Sequence, residues 1–173
     1  LRCAVTIGVR KTSVEQLTEA VGIAKGSFYK FFPSKELLFF AVLENIHAET
    51  YAVAEKALQD NVEIPPTERT AKIILATCKY LSDTKAMMFI ENDAEYLLRR
   101  IPADIKADHY HNDEVHIRQI LADSGLIPNG GVELAIATIR GLILTVSHQG
   151  EIGNLYPQVL ETLVHGACKE LFE

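Results

Sequence analysis

Three histidines lie close together between residues 108 and 116, and their spacing could serve a metal ion. On a helix, His109, Asp113 and His116 fall at positions i, i+4 and i+7, so they share one face, while His111 points away from it. Imidazole and carboxylate groups are ligands that divalent transition metals accept. A solvated polar face explains the same pattern, and we favour it over a metal site. The sequence indicates no other cofactor.

The residue patterns of common enzyme sites are missing from this sequence. It has no glycine-rich phosphate loop, no H-E-x-x-H motif and no nucleophile elbow. No histidine or carboxylate is spaced to act as the base for a neighbouring nucleophile. We therefore expect a binding protein and not an enzyme, with a small all-α enzyme or a metal-binding bundle as the alternative class.

A short stretch near the N-terminus is suited to contacts with nucleic acid. It presents Lys25, Gly26, Ser27, Tyr29 and Lys30 in one helical turn and a half. Small residues let a backbone approach base edges, while lysine and tyrosine side chains reach phosphate oxygens and position the protein without reading sequence.

The elements that position these residues are marked by capping and breaking residues. Ser13 and Gln16 fit a capping box at the start of one helix, which Gly22 ends. A second helix covers Lys25–Lys30, Pro33 stops it, and Ser34 caps a third. Two helices joined by a glycine turn form a helix-turn-helix. Its expected inner face consists of Val14, Leu17, Val21, Ile23, Phe28, Phe31 and Phe32.

The stretch from Thr12 to Leu38 resembles the TetR family of repressors, whose pattern is T-[ST]-V-x-x-[IL]-A-x-x-A-G-[VI]-[SA]-K-G-[ST]-[FL]-Y-x-[HY]-F-x-[SN]-K-E-x-L. The matching residues are Thr12, Ser13, Val14, Leu17, Gly22, Ile23, Ala24, Lys25, Gly26, Ser27, Phe28, Tyr29, Phe32, Ser34, Lys35, Glu36 and Leu38. Thr18, Val21 and Phe31 depart from the pattern.

The resemblance implies an all-α fold, with a three-helix DNA-binding head over residues 1–38 and a helical effector-binding and dimerisation body over residues 39–173. It adds Thr12, Ser13 and Lys35 to the expected DNA contacts. It also implies a full first helix, of which Leu1–Thr6 would be a part packing Ala4 and Val5 on the head. We therefore expect residues to be absent before Leu1, and a further gap near residue 7.

Composition agrees with a head that touches nucleic acid and a body that does not. The 173 residues carry a net charge of −6, but residues 1–38 carry +3 and the remainder −9. Cys3, Cys78 and Cys168 are odd in number and widely spaced, which indicates free thiols in a reducing compartment. No apolar run reaches the ~18 residues of a membrane span, and no signal peptide is visible, so we expect a cytoplasmic protein without a membrane partner.

The spacing of apolar residues and the positions of proline and glycine predict only helices in the body. After Ser34–Asp60, which the resemblance makes the link between head and body, helices are expected at 67–81, 84–101, 102–124, 131–149 and 155–172. Asn154 is the expected cap of the last.

The last two helices are the expected homodimer interface. The helix over 131–149 is apolar nearly all round, and such a helix must be covered on two sides. The final helix carries a stripe of Leu155, Val159, Leu163, Ala167 and Leu171. The resemblance implies a four-helix bundle between two chains, and a monomer core is the alternative.

The middle helices are the expected site of the effector. The candidate lining residues are Tyr80, Met87, Met88, Phe89 and Tyr96, because methionine and aromatic side chains adapt to apolar ligands. Each of them could equally belong to the ordinary core. Arg99 and Arg100 could meet an anionic effector, although cations are favoured at a helix C-terminus in any case.

Together these features predict a dimeric repressor that binds a palindromic, double-stranded operator and is released by a small-molecule effector. One alternative is a metal-responsive regulator that uses His109, Asp113 and His116. Another is an all-α interaction protein that does not bind DNA. An activator would use the same head.

Overall fold

The computed structural model describes residues 8–173, apart from the side chains of residues 113 and 114. Every regular element in this part of the chain is a helix, which confirms the all-α fold. None of its helices combines the length and the apolar character needed to cross a membrane. The expected first helix, its packing residues Ala4 and Val5, Cys3 and the suspected gap near residue 7 lie outside the described residues.

Ten α-helices follow one another in the described part of the chain. They are α1 (Val14–Val21), α2 (Lys25–Phe28), α3 (Lys35–Asp60), α4 (Pro66–Asp83), α5 (Ala86–Phe89), α6 (Glu95–Leu98), α7 (Ala103–Asp123), α8 (Val132–Leu144), α9 (Gln149–Ile152) and α10 (Tyr156–Phe172). A π-helical segment, Ile90–Ala94, joins α5 to α6, and two 3-10 turns, Thr145–His148 and Gly153–Leu155, flank α9.

Several predicted boundaries are confirmed, because the local signals are strong. The Ser34 hydroxyl accepts a hydrogen bond from the Leu37 amide at 3.2 Å and starts α3. Pro66 occupies the first turn of α4, and Pro102 directly precedes α7. In each case the residue satisfies or removes an amide that would otherwise lack a partner at a helix start.

The helix expected at 84–101 is present from residue 86 to residue 98 without a break, although residues 90–94 in its middle are π-helical, and one predicted helix cap is wrong. Asn154 does not cap α10: the chain enters that helix through a 3-10 turn, and Leu155 at the cap position offers no side-chain hydrogen bond.

The core lies between α3, α4, the α5–α6 region and α10. Phe39, Leu43 and Ile46 of α3 are almost fully buried, as are Phe89 and Leu97. A smaller cluster joins Leu121, Ala135, Ile136 and Leu171 across the ends of α7, α8 and α10. The long helix α3 thus begins in the head and passes through the centre of the body.

The expected inner face of the head is only partly correct. Phe28 is buried, but Phe31 is 74% exposed, Val21 68% and Ile23 43%. Because α2 ends at Phe28, helical periodicity no longer places Phe31 inside. The left-handed turn at Gly22, with φ of 70°, brings its two neighbours to the surface.

Candidate nucleic-acid interface and ligand cavity

The first helix of the helix-turn-helix is fixed by the predicted capping box. The Gln16 amide donates to the Ser13 hydroxyl at 3.2 Å, and the Ser13 amide donates to Gln16 Oε1 at 2.8 Å. Gly22 ends α1 in the left-handed conformation, with its amide bonded to the carbonyls of Glu19 and Thr18. These bonds fix both ends of α1, directly before the turn that leads into α2.

Helix α2, the second helix of the helix-turn-helix, is anchored by one buried aromatic side chain, and its lysines are exposed. Phe28 is buried and meets the Tyr29 ring edge-on, with centroids 5.3 Å apart. Lys25, Gly26 and Lys30 are exposed, Tyr29 is 49% exposed, and a Cβ added at Gly26 would meet nothing within 4 Å. The surface around α2 is therefore accessible to a DNA groove.

Lys25 already has an anionic partner within the head. Its ammonium group pairs with the carboxylate of Glu15 on α1, and both groups are solvent-exposed. This contact raises the pKa of Lys25 and lowers that of Glu15, with their mutual hydrogen bond as the largest cause. An exposed pair of this kind holds the lysine charge over α2 and contributes little to stability.

Two of the residues predicted to contact DNA form hydrogen bonds within the head. The Lys35 ammonium donates to the carbonyls of Val9 at 2.9 Å, Thr12 at 2.8 Å and Arg10 at 3.4 Å. Thr12 is 2% exposed, and its hydroxyl donates to the Gly8 carbonyl at 2.8 Å. Lys35 thus fastens the turn before α1 to the start of α3.

An apolar cavity of about 360 Å³ lies in the body. Its wall is formed by α3, α4, α7 and α8, together with Met87 and Ile90, and its polar groups include His47, Arg140 and threonine hydroxyls. The other lining residues are Thr50, Tyr51, Ala54, Thr70, Ile73, Ile74, Thr77, Leu81, Ile117, Ile120, Leu121, Ser124, Ile139, Ile143 and Leu144.

Of the five residues expected to line a pocket, the structure places only Met87 at this cavity. Phe89 packs on Phe39 in the core, with ring centroids 6.5 Å apart, and Met88 is exposed. The Tyr80 hydroxyl donates to Glu49, and burial followed by this bond raises the pKa of Tyr80 to about 12. The lining is mostly aliphatic, and leucine or isoleucine on a helix gives no sequence signal that separates cavity from core.

The π-helical segment connects this cavity to the head. Ile90, its first residue, lines the cavity, while Asp93 is 5% exposed and accepts a hydrogen bond from the Val9 amide at 3.1 Å. Gly8, with φ of 81°, lies against the same carboxylate: a Cβ there would be 3.6 Å from Asp93 Oδ2. Sequence reasoning did not single out Asp93.

Tyr96 forms a second contact next to this one. The guanidinium of Arg10 lies 5.2 Å from the centre of its ring, and that of Arg100 lies 3.9 Å from it. The Tyr96 hydroxyl donates to Glu36 Oε1 at 3.4 Å. Arg99 pairs with Glu95 one turn earlier in α6. The two arginines considered for an anionic effector therefore both have partners within the chain.

The two histidines of the predicted stripe have different partners in the structure. His109 is 4% exposed, and its Nδ1 lies 2.5 Å from Glu44 Oε1 on α3. His116 instead stacks on Tyr51, with centroids 4.6 Å apart, and its Nδ1 lies 2.8 Å from the Asn112 carbonyl. The side chain of Asp113 lies outside the described residues. His109 and His116 thus have separate partners.

Comparison with known proteins gives a family for the head and a fold for the whole chain. The family model described as "Bacterial regulatory proteins, tetR family" matches residues 1–42. The nucleoid occlusion factor SlmA of Glaesserella parasuis is 38% identical over 72 residues, which make up 40% of this chain and 33% of that protein. The chain therefore aligns with about a third of the length of such curated relatives.

Two solved structures match along nearly the whole chain. The ketosteroid transcriptional regulator KstR2 of Mycobacterium tuberculosis has a TM-score of 0.67 at 18% identity, covering 99% of this chain and 90% of that one. The TetR family transcriptional regulator PfmR of Thermus thermophilus has a TM-score of 0.63 at 18% identity, covering 99% and 96%. At these identities the similarity concerns the fold.

Proposed function

We propose that this chain, whose residues 1–42 match the family model of the TetR bacterial regulatory proteins, is a dimeric, ligand-responsive repressor that binds a palindromic operator through its head. One observation supports the proposal that the protein responds to a ligand. The segment from α5 to α6 contributes Met87 and Ile90 to the cavity wall, and its Asp93 accepts a hydrogen bond from the head. Such a protein works in the cytoplasm, where its operator is.

The proposed DNA contacts follow from the exposed residues around α2. Lys25 and Tyr29 bind phosphates, while Gly26, Ser27 and Lys30 approach base edges in the major groove. The Ser13 hydroxyl oxygen accepts a hydrogen bond at the start of α1, and its O–H group can still donate to a phosphate. Lys35 and Thr12 are left out of the proposed contacts, because their side chains hydrogen-bond to backbone carbonyls within the head.

The proposed effector is a small, mainly apolar molecule with one polar end. Aliphatic side chains bury its body, and Arg140 or a threonine hydroxyl offers a partner for its polar group. The fold similarity to a regulator described as a ketosteroid transcriptional regulator agrees with a ligand of this character.

The proposed coupling uses the π-helical segment as its moving part. A ligand that displaces Met87 or Ile90 shifts this segment and with it Asp93, which releases or re-aims the Val9 turn of the head. π-helical segments are often found at functional sites of this kind. A coupling free energy of ~1–3 kcal/mol would weaken operator binding roughly 5–150-fold.

The proposed dimer uses α8 to α10. Leu134, Ile152, Leu155 and Leu163 are 41–64% exposed on these helices, although each is a large apolar side chain. Burying such side chains against a second copy would remove them from water. Two heads would then read half-sites about 34–36 Å apart.

The test is selection of binding sites from a random duplex library by the full chain, followed by affinity measurements at several salt concentrations. We expect a palindromic consensus and an affinity that falls steeply with salt. Native mass spectrometry of the protein purified from cells should show a dimer that carries an additional small organic mass. Failure to enrich any sequence, with weak binding at low salt, would favour the alternative of an interaction protein that does not bind DNA.

A further inference from the structure

Three ligand-type side chains converge where α3 meets α7. Glu44 and His47 lie one turn apart on α3, and His109 approaches them from α7. Their ligand atoms all lie within 4.8 Å of one another. The rings of His47 and His109 stack with centroids 5.0 Å apart, and Glu44 Oε1 lies 2.5 Å from His109 Nδ1. We propose that Glu44, His47 and His109 form a binding site for a divalent transition metal, with zinc as the first candidate.

The donor set has the right chemistry. Two imidazoles and one carboxylate bind zinc in open sites, where a fourth position is left for water or a ligand, and they also suit iron(II). Around a tetrahedral zinc ion, ligand atoms lie about 3.4 Å apart, so small side-chain rotations from the present spacing complete the site. Helical bundles build metal sites in this way, from a Glu-x-x-His turn and a facing helix.

Access to the site also supports the proposal. A groove of about 260 Å³ opens beside two of the three residues, Glu44 and His47, which belong to its wall. Glu55 adds a second carboxylate to the same wall, which favours the entry of a cation. His109, in contrast, is 4% exposed, so an ion held there would be partly removed from solvent.

The position gives such an ion a structural consequence. It would join α3, which starts in the head, to α7, which forms a wall of the cavity. His47 lines both the groove and the cavity, so metal binding would fix a side chain that borders both. The site differs from the predicted stripe, since it uses two residues of α3 and does not use His116.

The experiment is a titration of the metal-free full chain with Zn²⁺, followed by competition with a chromophoric chelator and by Co²⁺ absorption as a probe of geometry. We expect one tight zinc per chain and the intense visible bands of tetrahedral cobalt. His47→Gln and Glu44→Gln should each weaken zinc binding at least tenfold. The matched control is His116→Gln, which removes an exposed histidine of α7 from the edge of the same groove and should leave the affinity unchanged.

Three results would overturn the proposal: no stoichiometric zinc binding by the native chain, equal affinity in wild type and His47→Gln, or loss of binding in His116→Gln. His109→Gln is a further variant, but His109 is buried and its replacement risks unfolding the chain. The more accessible Glu44 and His47 therefore carry the test, with circular dichroism to confirm that each variant is folded. Because the readout is metal binding alone, a negative result leaves the proposed repressor function untouched.

Discussion

At the scale of single residues, two lysines of the family pattern have opposite environments. Lys25 is exposed at the start of α2 and pairs with Glu15. The Lys35 ammonium group instead donates hydrogen bonds to three backbone carbonyls, those of Val9, Arg10 and Thr12. From the sequence alone, both lysines were expected to contact DNA. The contacts separate them, because an ammonium group already bonded to three carbonyls has no remaining donor.

Replacing Lys25 or Tyr29 by alanine should weaken DNA binding by a similar factor on all sequences, because a phosphate contact does not read bases. For Lys25→Ala, the slope of log affinity against log salt should become shallower by about one unit. The measurement is fluorescence anisotropy on the selected operator and on a scrambled duplex. Glu15→Gln is the control: it removes the partner but keeps the lysine charge, so binding should not weaken. Unchanged operator affinity in both alanine variants would contradict the assignment.

Lys35→Met should act on stability and not on DNA binding. Hydrogen bonds from a charged group typically contribute about 1.5–3 kcal/mol, so the free energy of unfolding should fall by about 2 kcal/mol. Urea denaturation followed by circular dichroism measures this, with Lys30→Met as a control at an exposed position of the same head. If Lys35→Met keeps wild-type stability and the slope of log DNA affinity against log salt becomes shallower by about one unit, Lys35 binds a phosphate after all.

The thiols of Cys78 and Cys168 should be inert in the folded protein. Burial raises the pKa of Cys78 to about 12 and that of Cys168 to about 11, so both remain protonated at pH 8. Iodoacetamide should label them only after unfolding, as followed by peptide mass spectrometry. The raised values also predict that the free energy of unfolding falls above pH 9, since the unfolded thiols ionise there and the folded ones do not. Equal labelling rates in buffer and in urea would contradict this.

At the scale of elements, the sequence predicted best those helices whose ends carry their own signals. Ser13, Ser34 and Gly22 satisfy or release backbone groups locally, so the starts of α1 and α3 and the end of α1 could be predicted from adjacent residues alone. The π-helical segment has no such signal. It lacks glycine and proline, and its geometry places Asp93 against Val9, a partner 84 residues away that a local pattern does not reveal.

Asp93→Ala should loosen the head from the body. The Val9 amide would lose its buried acceptor, so its hydrogen exchange should accelerate roughly 10-fold or more, as expected for a charge-assisted bond of about 1.5–3 kcal/mol. Amide exchange followed by NMR or mass spectrometry measures this. Asp93→Asn is the control, because its side-chain oxygen still accepts from the amide. Slow exchange at Val9 in the alanine variant would exclude this contact as the link between cavity and head.

At the scale of the whole molecule, the uneven charge agrees with the proposed DNA-binding head. Residues 1–38 carry a net charge of +3 and the rest −9, so the phosphates of DNA would attract the head and repel the body. The sequence located this asymmetry and the apolar last helices. It did not separate their two faces: Leu160, Val164 and Cys168 fill the monomer core, whereas Leu155 and Leu163 of the predicted stripe remain exposed.

That separation makes the dimer testable without damage to the monomer. Leu155→Lys combined with Leu163→Lys places one charge at the turn before α10 and one on the exposed side of α10. Both changes leave the buried residues as they are, so the helical content should be preserved while the dimer dissociates. Val62→Lys, at an apolar residue that is 57% exposed outside these helices, is the matched control and should remain dimeric. Sedimentation velocity gives the oligomeric state, and operator binding should fall steeply in the double variant, because one head cannot span both half-sites. A double variant that sediments as a dimer would show that the two chains associate through another surface.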